Sequence, residues 1–342
     1  MKFEEVFAYS NLYNSYLLCL KGVKWKGTVQ HYDSYAISNI YQTKKDLYNN
    51  AFKTGKFFCF NRMERGKLRE IKSVKINERV VQRCLCDYCL VPLLTTHFIF
   101  DNSACVKGKG VHFAQDRMKY HLQKFYKLTH SNKGYILQFD MHHYFETIPH
   151  DKLIAKVSKC ITDQKLIKIY SQLVNDFGGT KGLGLGSQIS QISALFYMSD
   201  IDHTILKMKG VIAYARYMDD GYVIAKDKET LIVVLNTFKR LVQELGLKIN
   251  KKKTLIKPLN NTINFLKIRY NLLKSGKIVM RIDRTTIVRN RRKLKKLFKN
   301  KIKLIDIENY VKSVIGNWKR YKAFYTIKNF LILYNKLKEI YL

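Results

Sequence analysis

Apolar positions along this chain follow two rhythms, and the switches between them divide it. Residues 1–55 are helical and aromatic in pattern, and residues 77–94 place Val80, Val81, Cys84, Leu85 and Tyr88 at helical spacing. Between them, residues 56–73 read as strand, with a turn at Glu64-Arg65-Gly66-Lys67. Tyr135-Ile136-Leu137-Gln138-Phe139-Asp140 is a further strand, and it ends in an acid. A helix is expected to start near Pro149, because proline is tolerated in the first helical turn. Residues 212–217 and 221–225 are apolar and aromatic with a tight turn between them, the pattern of a β-hairpin. Asp227 caps a helix over 229–245 that turns Leu231, Val234, Leu235, Phe238, Leu241, Val242 and Leu245 inward, and Gly246 ends it. From residue 281 onward the patterns are helical and basic, with 18 basic and 4 acidic side chains, as in a small helical module facing a polyanion.

Length and charge narrow the class. At 342 residues the chain exceeds one typical core, so two or three subdomains are expected. It is 46% hydrophobic, which excludes a disordered chain. The 63 basic and 26 acidic residues leave a formal charge of +37. Such a charge calls for a polyanionic partner. The basic residues run the whole length and interleave with Tyr and Phe, which favours a nucleic-acid backbone over a membrane surface. The N-terminus lacks a signal-peptide layout, and no apolar run is long enough to span a bilayer, so a cytoplasmic protein without a membrane partner is expected. The seven cysteines then read as reduced thiols. Cys84, Cys86 and Cys89 lie in an apolar helical stretch with no second Cys/His pair at zinc spacing, so they read as buried thiols.

The candidate chemistry lies at the hairpin tip, Tyr217-Met218-Asp219-Asp220. Taken alone, the tip also reads as an exposed turn with solvated acids. Adjacent carboxylates repel, and a hard divalent cation is their usual partner. If the strand ending in Asp140 joins the hairpin in one antiparallel sheet backed by helices, three carboxylates cluster. Such a cluster suits two Mg²⁺ ions about 4 Å apart, which clamp the attacking and leaving oxygens of an in-line phosphoryl transfer. Mn²⁺ is an alternative ion. This is the arrangement of a polymerase palm.

The chain resembles reverse transcriptases over most of its length and in motif order. Phe139-Asp140-Met141-His142-His143-Tyr144-Phe145 is similar to the family's first catalytic motif, and Tyr217-Met218-Asp219-Asp220 to its second. Leu245-Gly246-Leu247-Lys248-Ile249-Asn250, followed by Lys251-Lys252-Lys253-Thr254, resembles the next palm motif. Asn77-Glu78-Arg79-Val80-Val81-Gln82-Arg83 and Ser103-Ala104-Cys105-Val106-Lys107-Gly108-Lys109-Gly110 resemble fingers segments, and Trp318 with its neighbours resembles a thumb helix. The resemblance implies an α+β right-hand polymerase fold: an N-terminal helical segment 1–55, fingers 56–134, a palm 135–280 that includes fingers-proximal helices 150–180, and a basic helical thumb 281–342.

It also implies roles. Asp140 and Asp219 would bind both metals, with Asp220 in support and the Met141 carbonyl as a further ligand. Phe145 matches the position that screens the sugar 2′ carbon, so DNA is the expected product. Lys107 and Lys109 would meet the triphosphate, with Gly108 and Gly110 admitting its approach; Arg79 would reach triphosphate or template, and Lys253 would protonate pyrophosphate. In Gly182-Leu183-Gly184-Leu185-Gly186-Ser187-Gln188-Ile189-Ser190-Gln191, which should pack on the templating base and nucleotide, Leu185 and Gln191 replace the family's usual Gln and Pro. That pair resembles the diversity-generating retroelement enzymes, which copy RNA with errors at adenines. A phage-defence enzyme, a group II intron-type enzyme and an RNA-binding maturase-like protein are the alternatives. Lys267 in Asn264-Phe265-Leu266-Lys267 departs from the glycine of the family's primer-gripping hairpin. His142, His143 and His150 read as nucleic-acid contacts or packing. Implied partners are an RNA template, a DNA or RNA primer and dNTPs; whether an accessory protein joins them is open.

Overall fold

In the computed structural model, which describes residues 1–54, 57–64 and 66–341, helices and antiparallel strands alternate in the expected order. Helices Phe3–Val6, Tyr9–Cys19, Gly27–Ser34 and Ala36–Tyr48 open the chain. Phe3, Phe7, Leu12 and Tyr16 from this segment are buried with Val80, Val81 and Leu85 of the helix Ile76–Leu85. Strands β1 (Phe57–Glu64) and β2 (Lys67–Val74) form an antiparallel hairpin. Lys56, where the strand pattern begins, and Arg65 of the expected turn lie outside the described residues.

The stretch 77–94, expected as one helix, is α-helical to Leu85, makes a π-helical turn over Cys86–Leu90, and resumes as α-helix over Val91–Leu94. Pro92 has no N–H to donate to the helical ladder, and a π turn is one way to pass such a position. Cys84, Cys86 and Cys89 are fully buried. Cys84 donates to the Val6 carbonyl at 3.1 Å, and burial pushes its thiol up to about 12.

The central sheet has four strands: β3 (Tyr135–Asp140), β4 (Val211–Tyr217), β5 (Asp220–Ala225) and β6 (Leu255–Pro258), in the order β4-β5-β3-β6. Alternation along these strands feeds two cores. Leu137, Phe139, Tyr214 and Val223 join a large cluster with the N-terminal helices and with helix Lys228–Glu244. Ile136, Ala213, Ala215, Tyr222 and Ile224 face a second cluster. That second cluster is completed by Met118, Leu122 and Phe125 of helix Val111–Thr129, by the sheet β7 (Ile263–Phe265), β8 (Ile268–Leu272) and β9 (Ile278–Ile282), and by helices Arg284–Lys299, Leu304–Lys319 and Phe324–Tyr341. Trp318 and Phe330 meet there edge to face at 5.1 Å. Arg291, Arg292, Lys295, Lys296 and Lys299 line the outer face of the helix Arg284–Lys299.

Local signals hold at the helix ends that frame the sheet. Asp227 accepts from the Thr230 amide at 2.7 Å and caps Lys228–Glu244. Pro149 stands directly before helix His150–Ser158. Among the described residues, no helix is long and apolar enough to cross a membrane.

Candidate active site

The carboxylates are brought together by strand register. In the antiparallel pairing of β3 with β5, Asp140 lies opposite Asp220, and Asp220 is also opposite Tyr217 across the hairpin β4–β5. Met218 and Asp219 form the two-residue turn between those strands. Met218 has φ +56, a left-handed conformation that is uncommon for a residue with a side chain. Backbone bonds fasten the neighbourhood: the Met141 amide donates to the Asp219 carbonyl at 3.1 Å, and the Asn250 amide to the Asp140 carbonyl at 2.8 Å.

Asp140 is buried, and both its oxygens are engaged. Asn250 Nδ2 donates to one at 3.0 Å and Lys253 Nζ to the other at 2.7 Å. That hydrogen bond holds the Lys253 ammonium above its ordinary pKa. Burial raises the Asp219 carboxyl, with the Asp140 charge adding to it, while Lys253 and Arg69 pull the other way. Asp220 is pushed up to about 7, by burial first and then by Asp219 and Asp140. Carboxylates crowded in this way favour a cation. Among the described residues, no three His, Cys, Asp or Glu side chains are gathered closely enough to cage an ion unaided. Mg²⁺ usually takes one or two carboxylates and completes its shell with water and substrate phosphates, and carboxylate oxygen is the donor that Asp140, Asp219 and Asp220 offer. The oxygen donor set therefore fits the ion.

Other expected site residues are distributed around this centre. Met141 is buried beside Asp140. Phe145 is half-buried on the helix Tyr144–Thr147, and its carbonyl accepts from the Leu183 amide at 2.7 Å. Leu185 lines a cleft of about 320 Å³ with Arg69, Lys72 and Phe177, and Gly186 a neighbouring one of about 230 Å³ with Gln82 and Arg79. Gln191 accepts from the Cys105 thiol at 3.4 Å. Lys107 is exposed, whereas Lys109 donates to the Phe100 carbonyl at 2.5 Å and lies over the Phe100 ring. Gly110, with φ +145, leads into helix Val111–Thr129. Arg79 donates to Ser73 at 2.9 Å. His150 is packed inside, with Nε2 2.6 Å from the Gly182 carbonyl, while His142 and His143 are exposed and stacked edge to face.

Several groups at the site carry no signal in the sequence. Gln82 accepts from Ser187 at 3.2 Å and Asp87, on the π turn, accepts from Gln188 at 3.0 Å, so the helical stretch 76–94 holds the segment 182–191 at two points. Arg69 acts electrostatically on Asp219 from strand β2. The departure at Lys267 has a backbone counterpart. Leu266 (φ +46) and Lys267 (φ +70) make the β7–β8 turn in left-handed conformations, held by Gln115 donating to the Leu266 carbonyl at 2.9 Å and the Asp283 amide donating to the Lys267 carbonyl at 3.0 Å.

Residues 43–269 match the family described as reverse transcriptase (RNA-dependent DNA polymerase). No curated protein matches the chain in sequence. In fold, it is similar to an apo telomerase from Candida tropicalis truncated from the C-terminal domain (TM-score 0.50, 14% identity, covering 67% of this chain and 55% of that one). It is also similar to a telomerase from Candida albicans in complex with a TWJ fragment of telomeric RNA (TM-score 0.51, 11% identity, covering 82% and 54%). The chain thus spans about half the length of these structures. The mixed α+β right-hand polymerase fold expected from the motifs is the fold observed.

Proposed function

The chain belongs to the reverse transcriptase family, and we propose that it is an RNA-directed DNA polymerase that extends a primer 3′-hydroxyl with dNTPs on an RNA template. The observation that carries this reading is the register that sets Asp140 against Asp220 and hangs Asp219 on the adjoining turn. In it, Asp140 and Asp219 hold the metals, with Asp220 and the Met141 carbonyl in support. Bound there, two Mg²⁺ ions supply a Lewis acid for the attacking hydroxyl and charge neutralisation for the departing pyrophosphate. Asn250 and Lys253 orient Asp140. Phe145 closes the space beside the sugar, and the segment carrying Leu185, Gly186 and Gln191 faces the base pair. Arg69 and Lys107 draw the triphosphate in from the fingers, and Lys253 donates a proton to pyrophosphate. We assign residues 56–134, 135–280 and 281–342 to fingers, palm and thumb, behind an N-terminal helical segment.

Within the family, we favour the diversity-generating class. Leu185 supports this, because an apolar side chain in the cleft with Arg69 and Phe177 offers no amide to discriminate a base.

The test is extension of a primer on a defined RNA with Mg²⁺ and all four dNTPs, followed by sequencing, with an Asp219→Asn, Asp220→Asn variant as control. Acid-dependent products enriched in errors opposite adenine support both levels of the reading. Faithful products retain the polymerase and refute mutagenesis; untemplated products point to a defence enzyme. Binding of RNA without extension, with native RNA and cell extract supplied, refutes the polymerase.

A further inference from the structure

Strand β4 is apolar and aromatic from Ile212 to Tyr217 except at Arg216, and Arg216 is fully buried (0% exposed). A guanidinium in such a place needs a countercharge and acceptors for its fixed fork of donors. Asp202, also fully buried, accepts from Nε at 2.7 Å and from Nη2 at 2.6 Å. Tyr214 donates its hydroxyl to the same carboxylate at 2.6 Å. The remaining donors go to backbone: Nη1 reaches the Met218 carbonyl at 3.0 Å, and Nη2 the Leu195 carbonyl at 2.8 Å.

Those two carbonyls belong to different parts of the site. The Met218 carbonyl is half of the peptide that carries the Asp219 amide, in a turn whose left-handed Met218 persists only where its surroundings over-determine it. Leu195 lies on helix Gln188–Tyr197, which carries Gln191. The backbone of Arg216 makes a third link. Its amide donates to the Asp101 carbonyl at 3.3 Å and its carbonyl accepts from the Ser103 amide at 3.4 Å, just ahead of the Lys107 segment.

We propose that Arg216 is a positioning residue of the polymerase site: its guanidinium fixes the Met218–Asp219 peptide, hence the direction of the Asp219 carboxylate, and ties that turn to the helix bearing Gln191. The inference rests on the polymerase reading for its catalytic consequence, but its geometry is independent of that reading. The carbonyl contacts satisfy donors that any buried guanidinium must satisfy, so positioning and stability are separated by the choice of variant. Replacing such a pair together by apolar residues of similar volume is often neutral for stability, whereas removing one partner is not.

That difference supplies the test. The variant Asp202→Leu, Tyr214→Phe, Arg216→Met removes both charges and the dependent hydroxyl at once, and takes the donor from both carbonyls. Arg216→Lys is its companion, keeping the charge opposite Asp202 while a single ammonium replaces the fork. Each is compared with the parent by thermal melting, by amide hydrogen exchange of residues 217–221, by Mn²⁺ binding in electron paramagnetic resonance, and by primer extension. In whichever variant folds, exchange in the turn is expected to be about tenfold faster, the equivalent of one lost hydrogen bond. Mn²⁺ binding weakens, and kcat falls about 100-fold with KM for dNTP little changed, as a misplacement of about 1 Å would cause. Parent-like exchange and Mn²⁺ binding in a folded variant overturn the positioning role. Accelerated exchange in a protein whose parent never extends a primer supports it and sinks the polymerase reading instead.

Discussion

Replacing Gly221 by Ala should destabilise the protein and slow catalysis together, because the missing side chain leaves room for a core ring. Gly221 follows Asp220 on β5 and pairs with Phe139, the residue before Asp140. A Cβ there would lie 2.2 Å from Phe139 Cζ and 2.8 Å from both Cε atoms. The ring cannot retreat easily, since Phe238 backs it at 4.5 Å between centroids and Tyr214 stacks at 6.1 Å. Overpacking of this kind costs about 1–3 kcal/mol, and with backbone and an aromatic ring as the two parties the upper half of that range applies. At roughly 2–4 °C per kcal/mol for a domain of this size, the melting temperature should fall by about 4–12 °C. The strain is relieved by pushing apart the strands that carry Asp140 and Asp220, so the extension rate, measured well below the melting point, should drop by more than the unfolded fraction explains. Phe139→Leu added to the Gly221→Ala variant should recover part of both losses, a coupling of about 0.5–3 kcal/mol in the double-mutant cycle. A Gly221→Ala protein that melts with its parent would refute the steric argument outright.

Three further outcomes are expected. The folded-state pKa of Asp220, about 7, lies above its value of about 4 in an unfolded chain, so the folded protein binds the extra proton and this group's stabilisation is lost as pH rises through 7. Metal-free Asp220→Asn should therefore gain in melting temperature on its parent between pH 5 and pH 8, and Mg²⁺ should stabilise the parent more than the variant; a pH-independent difference contradicts the sign. Asp87→Ala removes the acceptor of Gln188 and should cost about 1 kcal/mol in urea titration while raising misincorporation in sequenced products; unchanged fidelity would detach the π turn from nucleotide selection. Lys267→Gly relaxes a left-handed residue and should gain about 0.5–1 kcal/mol in the same titration, so a loss there would mean the Lys267 side chain supports the turn.

What could be read from the chain was what neighbours in sequence decide. The strand ending at Asp140, the tight turn ahead of Gly221 and the cap at Asp227 each depend on a handful of adjacent residues; in the structure the turn takes Met218 and Asp219, with Asp220 already in β5. The pairs that build the site around those acids join distant residues. Gln82 and Ser187 are 105 positions apart, and Asn250 is 110 from the Asp140 it orients. No local pattern encodes such partners. Arg216 is a lone charge in an apolar strand, and nothing near it in sequence names Asp202. At Lys109 the flanking Gly108 and Gly110 are local signals, while the Phe100 ring beneath its ammonium lies nine positions away and leaves no mark beside it. The π turn leaves no mark because the helix beyond it, Val91–Leu94, is too short to display its shifted phase.

The two faces of the central sheet are finished at different times. Chains are made from the N-terminus, and the face bearing Leu137 and Val223 finds most of its cover in helices made before it and the rest in helix Lys228–Glu244, made directly after the hairpin. The opposite face, with Tyr222 and Ile224, gets part of its cover from helix Val111–Thr129 but waits for β7–β9 and for the helices carrying Trp318 and Phe330. A nascent chain that has just completed all three acids therefore still carries a partly bare apolar surface. Helices Arg284–Lys299, Leu304–Lys319 and Phe324–Tyr341 close that core, so a truncation ahead of Arg284 is expected to leave an aggregating chain in place of a folded one.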